Sequence, residues 1–504
     1  MVSKTLACRS DSLDAEIVNI EAKISKGFTN FTIVGLAGTS IMEARERIRS
    51  AMLSSGVKLS AGKIVVNLYP GDERKEGTQW DLPISVALCH AMGKIPIDSI
   101  NNAAFIGELG LDGTVRYVPA CFRMALKLKD YVDKIYIPYD SIGACSCIKG
   151  VKIYPVKSLK EVLDDLRGIK KIGAITYNSI DFNKDDEDDD YPDFIRIKGQ
   201  SMLKRAMLIG GLGRHSMLLI GPPGVGKSMA IRAVRGIMPD LSQEDLIEVA
   251  GIRSIYYSKD KNIFSKKIPF RMPHYSISRA SLIGGGKKVR PGEVSFAHKG
   301  ILFLDELSFF SSQCLEALRM PMDTKTVSLT RNNKSTILPA DFQLLAAMNP
   351  CPCGHRGDPL KACNCSSSEI LRYINRISQP LLDRFDMVIR VSSIDWENAP
   401  DDGIDTKKLK DELNEALKFR DSLLLKDGAD KKSQAEYLKS KLDNEGAKLM
   451  EDLSVKYSLS ARFINSLLSL GETIRLLNRD KNISQGDLAE AMQLKKAALT
   501  LREL

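Results

Sequence analysis

Gly221-Pro222-Pro223-Gly224-Val225-Gly226-Lys227-Ser228 follows the apolar run Met217–Ile220 and leads into a helical pattern. Its three glycines let backbone N–H groups close on a phosphate with no Cβ in the way, and the positive end of the helix dipole adds to that field. Lys227 can then reach β- and γ-phosphates, and the Ser228 hydroxyl can ligate Mg²⁺. Downstream, the apolar run Ile301–Leu304 ends in Asp305-Glu306. Two adjacent carboxylates at a buried strand end are costly unless a cation or a water uses them. Asp305 suits the Mg²⁺ shell, and Glu306 suits a base that orients and deprotonates an attacking water. A third apolar run, Leu344–Met348, ends in Asn349-Pro350, whose carboxamide can bond the γ-phosphate or the lytic water. The fourth stretch is Gln379-Pro-Leu-Leu-Asp383-Arg384-Phe-Asp386. Arg384 suits either an ion pair with its neighbours Asp383 and Asp386 or, in a ring of subunits, the γ-phosphate of an adjoining copy. Each stretch alone has a plainer reading as a turn or a cap. Together they describe a site for ATP hydrolysis.

Such residues must sit at strand ends, and the surrounding pattern supplies the strands. Apolar candidates at Met217–Ile220, Ile301–Leu304, Gln343–Ala347 and Met387–Val391 alternate with helical or irregular stretches, which predicts a mostly parallel sheet covered by helices. Upstream, Phe31-Thr-Ile-Val, a helical stretch from Ile41 to Ser54 and Lys63-Ile-Val-Val-Asn-Leu form a separate α/β pattern. Between the two lies Asp185-Asp-Glu-Asp-Asp-Asp190, whose like charges resist packing and read as a solvated linker. From Thr406 onward only helical patterns remain. The expected division is therefore an N-terminal α/β domain over 1–177, an acidic linker over 178–193, an α/β nucleotide-binding core over 194–395 and a helical domain over 396–504.

Apolar content of 43% and charged content of 27% are ordinary for a water-soluble chain. No run approaches the roughly 20 apolar residues of a membrane span, and Met-Val-Ser-Lys-Thr-Leu-Ala-Cys lacks a signal peptide's apolar segment. A cytoplasmic setting without membrane partners is expected, and it disfavours disulfides among the ten cysteines. Four of these cluster as Cys351-Pro-Cys353 and Cys363-Asn-Cys365. Two close thiol pairs can satisfy tetrahedral Zn²⁺ and staple a loop too polar to pack by itself, with His355 as an alternative fourth ligand.

The net charge of +10 is modest for this length, and its distribution is more informative. From Lys261 to Gly292 there are eight Lys or Arg and no Asp or Glu. That one-sign stretch, with Lys287 and Lys288 beside Gly284-Gly-Gly286, suits a nucleic-acid backbone, an intersubunit contact or plain solvation. Val327-Ser-Leu-Thr-Arg331-Asn-Asn-Lys334-Ser-Thr-Ile-Leu338 predicts a hairpin with a basic tip.

The phosphate loop, Asp305-Glu306, Asn349 and Leu-Leu-Asp-Arg384-Phe-Asp together resemble the AAA+ ATPases, in the branch holding magnesium-chelatase ATPase subunits and MCM helicases. His274-Tyr-Ser-Ile-Ser, Leu282-Ile-Gly-Gly-Gly, Arg290-Pro-Gly-Glu-Val-Ser-Phe-Ala-His-Lys-Gly and Asn349-Pro-Cys-Pro-Cys-Gly narrow the resemblance to the ComM/YifB family. So do Ile33-Val-Gly-Leu-Ala-Gly, Glu43-Ala-Arg-Glu-Arg-Ile-Arg and Val66-Asn-Leu-Tyr-Pro-Gly-Asp-Glu-Arg-Lys-Glu-Gly, and the similarity spans essentially the whole chain. It implies an AAA+ core with a Lon-protease-like N-terminal domain and a helical lid. It further implies a homohexameric, Mg²⁺-dependent ATPase acting on single-stranded or branched DNA, as a branch-migration helicase in recombination and natural transformation. Under it Arg462, in Ser-Ala-Arg, becomes a second sensor arginine, and the basic stretch and hairpin face the pore, with Arg331 and Lys334 as the preferred DNA contacts. A magnesium-chelatase-like remodelling role toward a protein partner is the rival. Proteolysis is not expected, because Gln79 stands where a Lon-type serine would fall and Arg123 lies near the expected lysine. A guanidinium cannot serve as a base at neutral pH.

Overall fold

The computed structural model describes residues 2–9, 15–35, 39–71, 75, 77–175, 177, 191–256, 263–286, 290–331, 334–359, 361–393, 402–427 and 434–501. Among the described residues, nine strands belong to the first 156 positions: β1 (Val2–Arg9), β2 (Glu16–Ser25), β3 (Asn30–Val34), β4 (Lys63–Tyr69), β5 (Ala103–Phe105), β6 (Glu108–Leu109), β7 (Val115–Arg116), β8 (Lys134–Pro138) and β9 (Lys152–Val156). Seven of them make a mixed sheet in the order β3-β4-β2-β1-β5-β8-β9, while β6 and β7 form a short hairpin around Gly110. In β4 the residues Ile64, Val66 and Leu68 are buried while Lys63 and Tyr69 are exposed, the alternation of a half-buried strand. The helix Asp81–Ala91 is buried along almost its whole length. Its Asp81 is paired with Arg47 (Nε to Oδ2, 2.8 Å) and accepts from the Leu109 N–H. Burial nonetheless pushes its carboxyl up to about 6.

The second sheet contains β10 (Met217–Ile220), β11 (Phe270–Arg271), β14 (Ile301–Leu304), β17 (Gln343–Met348) and β18 (Met387–Arg390), all parallel, in the order β11-β14-β17-β10-β18. Every residue of β10, β14 and β17 is buried, because helices cover both faces; hence the continuous apolar runs rather than alternation. Two ribbons project from this layer: β12 (Gly284–Gly285) with β13 (Arg290–Pro291), and β15 (Thr326–Arg331) with β16 (Lys334–Pro339).

Helices Thr406–Asp427, Gln434–Ser440, Asn444–Tyr457, Ala461–Asn478 and Gln485–Thr500 follow. Ser460 and Ser484 cap the last two through bonds from the Phe463 and Asp487 N–H groups. Leu413, Leu467 and Ile474 share one core with Ile231, Val234 and Met387, so these helices close one face of the second sheet. None of the described helices is long and apolar enough to cross a membrane.

Six consecutive acids, 185–190, lie outside the described residues. The end of the expected linker is anchored rather than free. Asp193 accepts from the Thr406 N–H (2.9 Å) and hydroxyl (3.0 Å), and the Tyr191 ring lies against Gly236. A second junction joins the two α/β parts. Phe122 meets Phe264 edge to face at 5.4 Å, Ala250 and Ile263 are buried among Val118, Cys121 and Phe122, and Ala120 N–H donates to Ser254 O. Arg123 belongs to that junction, facing Gly251 of the helix Gln243–Tyr256, whereas Gln79 is buried beside Gly77.

Candidate nucleotide site

Parallel pairing of β10 with β17, and of β17 with β14, brings three strand ends to one edge. Ile220 faces Met348, and Leu304 faces Ala346, so the phosphate loop, Asp305-Glu306 and Asn349 emerge side by side. The loop turns at once because Gly221 lies against the Val391 carbonyl, where a Cβ would come within 2.2 Å of its oxygen. Lys227 donates to the carbonyls of Gly221 (2.6 Å) and Pro222 (2.7 Å) and to Asn349 Oδ1 (3.3 Å). Burial destabilises its charge more than the facing Asp305 restores it, so its ammonium is pulled down to about 8.

Ser228 Oγ donates to Asp305 Oδ2 at 2.8 Å. Adjacent oxygens around octahedral Mg²⁺ are about 3.0 Å apart for metal–oxygen distances of ~2.1 Å, so this pair fits a shared cation. Glu306 is exposed and holds a left-handed backbone (φ 53°), with its N–H bonded to Asp305 Oδ1. A non-glycine residue there costs about 1–3 kcal/mol.

Affinity for nucleotide should follow the charge on Lys227. Below pH ~8 the ammonium is already formed; above it, binding must recruit a proton, and the dissociation constant should rise by up to about tenfold per pH unit. Titration of nucleotide affinity from pH 7 to 10 reads this, with Lys227→Arg as the variant whose weaker binding has no inflection.

Arg384 and Arg462 are elsewhere. Met387 pairs with Met217, the first residue of β10, so Arg384 stands at the amino edge of the sheet, opposite the phosphate loop. Its expected partners are not Asp383 and Asp386. Asp383 accepts from Gln379, and Asp386 accepts from the Ser216 N–H and the Ser466 hydroxyl, tying this motif to the lid. Arg384 instead binds Asp323 Oδ2 at 2.6 Å, and Arg462 binds Asp323 Oδ1 at 2.6 Å. Partial burial opposes the Asp323 charge, but the two guanidiniums outweigh it and hold its carboxyl below the usual range. Asp323 has no motif around it, and its contacts span 61 and 139 positions, so it carries no local signal.

The sulfurs of Cys351, Cys353, Cys363 and Cys365 all lie within 4.8 Å of one another. His355 does not join them; its Nδ1 is 3.3 Å from Asp358 Oδ2. Of the expected nucleic-acid contacts, Lys287 and Lys288 lie outside the described residues. Arg331 and Lys334 are the register pair that closes the β15–β16 hairpin. The basic stretch is not one open loop, because Arg271 lies in β11 and is bonded in two places by Glu293.

Residues 193–399 match the family model described as magnesium chelatase, subunit ChlI, and residues 20–141 match that of subunit ChlI of Mg-chelatase. Competence protein ComM of Haemophilus influenzae is 33% identical over 509 residues, covering 98% of this chain and 97% of that protein. This chain belongs to the ComM/YifB family. The YifB protein of Escherichia coli is 34% identical over 95% of this chain and 94% of its own length. The magnesium-chelatase 67 kDa subunit of Chlorobaculum parvum is 27% identical over a shorter stretch, 31% of this chain and 23% of that protein. ComM/YifB proteins are thus magnesium-chelatase-like AAA+ P-loop ATPases, and the strand order and phosphate loop of this chain agree with that membership.

Proposed function

We propose that this chain is an ATP-driven motor that acts on single-stranded or branched DNA as a homohexameric ring in the cytoplasm, a branch-migration helicase of recombination and natural transformation. The observation that carries the ring is the opposition of Lys227 and Arg384 at the two edges of one sheet. A subunit whose Arg384 and Arg462 sit away from its own phosphate loop can offer them to a neighbour's. In this reading Lys227 and the loop N–H groups grip the phosphates, and Glu306 takes a proton from the attacking water. Asn349 orients that water, and the neighbour's arginines steady the charge on the transferring phosphoryl group. Ser228 and Asp305 hold Mg²⁺, which when bound draws charge from the phosphate oxygens. The four cysteines hold Zn²⁺: sulfurs on a tetrahedral zinc with ~2.3 Å bonds are about 3.8 Å apart. Here they are 3.4 Å (Cys351 to Cys353) and 3.6 Å (Cys351 to Cys363, Cys353 to Cys363).

DNA is favoured by the two ribbons. A Cβ on Gly284 in β12 would lie 3.1 Å from Leu329 Cδ1 in β15, so the ribbon leading to Lys287-Lys288 and the hairpin closed by Arg331 and Lys334 lie together. The competence role named for the Haemophilus relative agrees with this substrate. The deciding experiment measures ATPase rate with no DNA and with single-stranded, duplex and three-stranded DNA, beside Glu306→Gln. Stimulation by DNA is expected; none with any form would move the reading to remodelling of a protein partner. Arg331→Ala with Lys334→Ala should weaken DNA binding and reduce the slope of its salt dependence by about 2, with affinity read at several salt concentrations.

A further inference from the structure

The cysteine knuckle is built against the nucleotide site. Cys351 follows Asn349 by two residues and is fully buried among the side chains under the sheet, whereas Cys353 is exposed. Between them and the second cysteine pair, Gly354 turns with φ of 85° and its N–H donates to Cys351 O at 3.0 Å. A Cβ placed on Gly354 would come within 2.8 Å of Pro223 Cδ and 3.4 Å of its Cγ, and 3.9 Å from Asn349 Cγ. The turn thus lies close against Pro223 of the phosphate loop, where only a glycine fits, and stands beside Asn349, whose Oδ1 takes a bond from Lys227. The far end of the knuckle is tied to the strand end after β18 by Ser393 Oγ donating to Asp358 at 2.9 Å.

What keeps this turn in place is the question. Residues 354–358 are Gly-His-Arg-Gly-Asp, with nothing apolar to bury, so polar ties such as Ser393 to Asp358 and the anchoring of the two loop ends must hold them. A metal ion joining the Cys351–Cys353 and Cys363–Cys365 pairs would lock both ends of the loop to the buried Cys351.

We propose that the four-cysteine group is a soft-divalent-metal site of the zinc class that props the phosphate loop through Gly354 and Pro223, so that nucleotide affinity depends on metal occupancy. This deepens the zinc assignment given above and rests on it.

The test uses the full chain, with a fluorescent ADP analogue as the nucleotide probe and elemental analysis for metal. One zinc per chain is expected, and stripping it with chelator under a non-thiol reductant, then restoring Mg²⁺, should weaken ADP-analogue binding roughly tenfold, with recovery on adding zinc back. Gly354→Ala keeps all four thiols but forces a methyl against the proline ring; it should retain zinc and lose affinity by a similar factor, while Gly354→Ala with Pro223→Ala recovers part of the loss. Pro223→Ala alone should make affinity insensitive to stripping, which needs no change in the knuckle. Absence of zinc from chain purified without chelator overturns the metal assignment and the proposal together. Zinc present, with stripping leaving affinity unchanged in the native chain or lowering it equally in Pro223→Ala, overturns only the coupling.

Discussion

Arg384→Ala should lower the ATPase rate by about 10³–10⁵ while leaving nucleotide affinity nearly unchanged. The geometry sets this split between binding and turnover. Strand β10 has four residues, and Arg384 lies beyond its first while the phosphate loop begins beyond its last. At ~3.3 Å per residue the strand alone keeps the two more than about 10 Å apart, so a subunit binds nucleotide without its own Arg384. Mixing gives the decisive measurement. Arg384→Ala subunits keep an intact phosphate loop, Lys227→Ala subunits keep intact arginines, and each is inactive by itself. Combined, they should regain part of the activity, because an Arg384-bearing subunit then borders a competent loop. A mixture as silent as its parts would place Arg384 in a role internal to its own subunit, with Asp323 as its structural partner.

Glu306→Gln is the second change of large effect. The amide has nearly the same shape and still accepts a hydrogen bond, but it cannot take a proton from water. Loss of a positioned base removes about 10²–10⁴ in rate, and binding of ATP and of Mg²⁺ should persist because Lys227, Ser228 and Asp305 are untouched. Single-turnover hydrolysis beside equilibrium ATP binding separates the two. A variant that hydrolyses ATP at the native rate would assign the base elsewhere. The exposure of Glu306 and its left-handed backbone agree with a carboxylate aimed at solvent and substrate rather than at the core.

The phosphate-binding half of the site was legible because its chemistry is local. Gly221 to Ser228 are contiguous, and Asp305 and Asn349 each end an apolar run, so the strands that carry them announce where they emerge. Register did the rest, since parallel pairing aligns strand ends that lie 128 positions apart, Ile220 and Met348. Arg384 was legible as a residue but not in its surroundings. Its nearest acids in sequence, Asp383 and Asp386, turned out to cap and brace neighbouring elements, and the carboxylate that it meets comes from the far end of a short helix, Arg319–Thr324. The cysteine spacing foretold a clustered donor set, while the close approach of Gly354 to Pro223 had no sequence signal, being a contact between two loops. The tie of Tyr191 and Asp193 to the core and lid was hidden for a simpler reason: the acids before them dominate the local composition.

The edge-to-face meeting of Phe122 and Phe264, with its surrounding buried side chains, bears on mechanics. A body joined only by a charged tether can swing freely and transmit no torque. Here the helix Cys121–Leu128 of the N-terminal part packs on the helix Gln243–Tyr256, which follows the phosphate-loop helix, so a displacement of one layer is passed directly to the other.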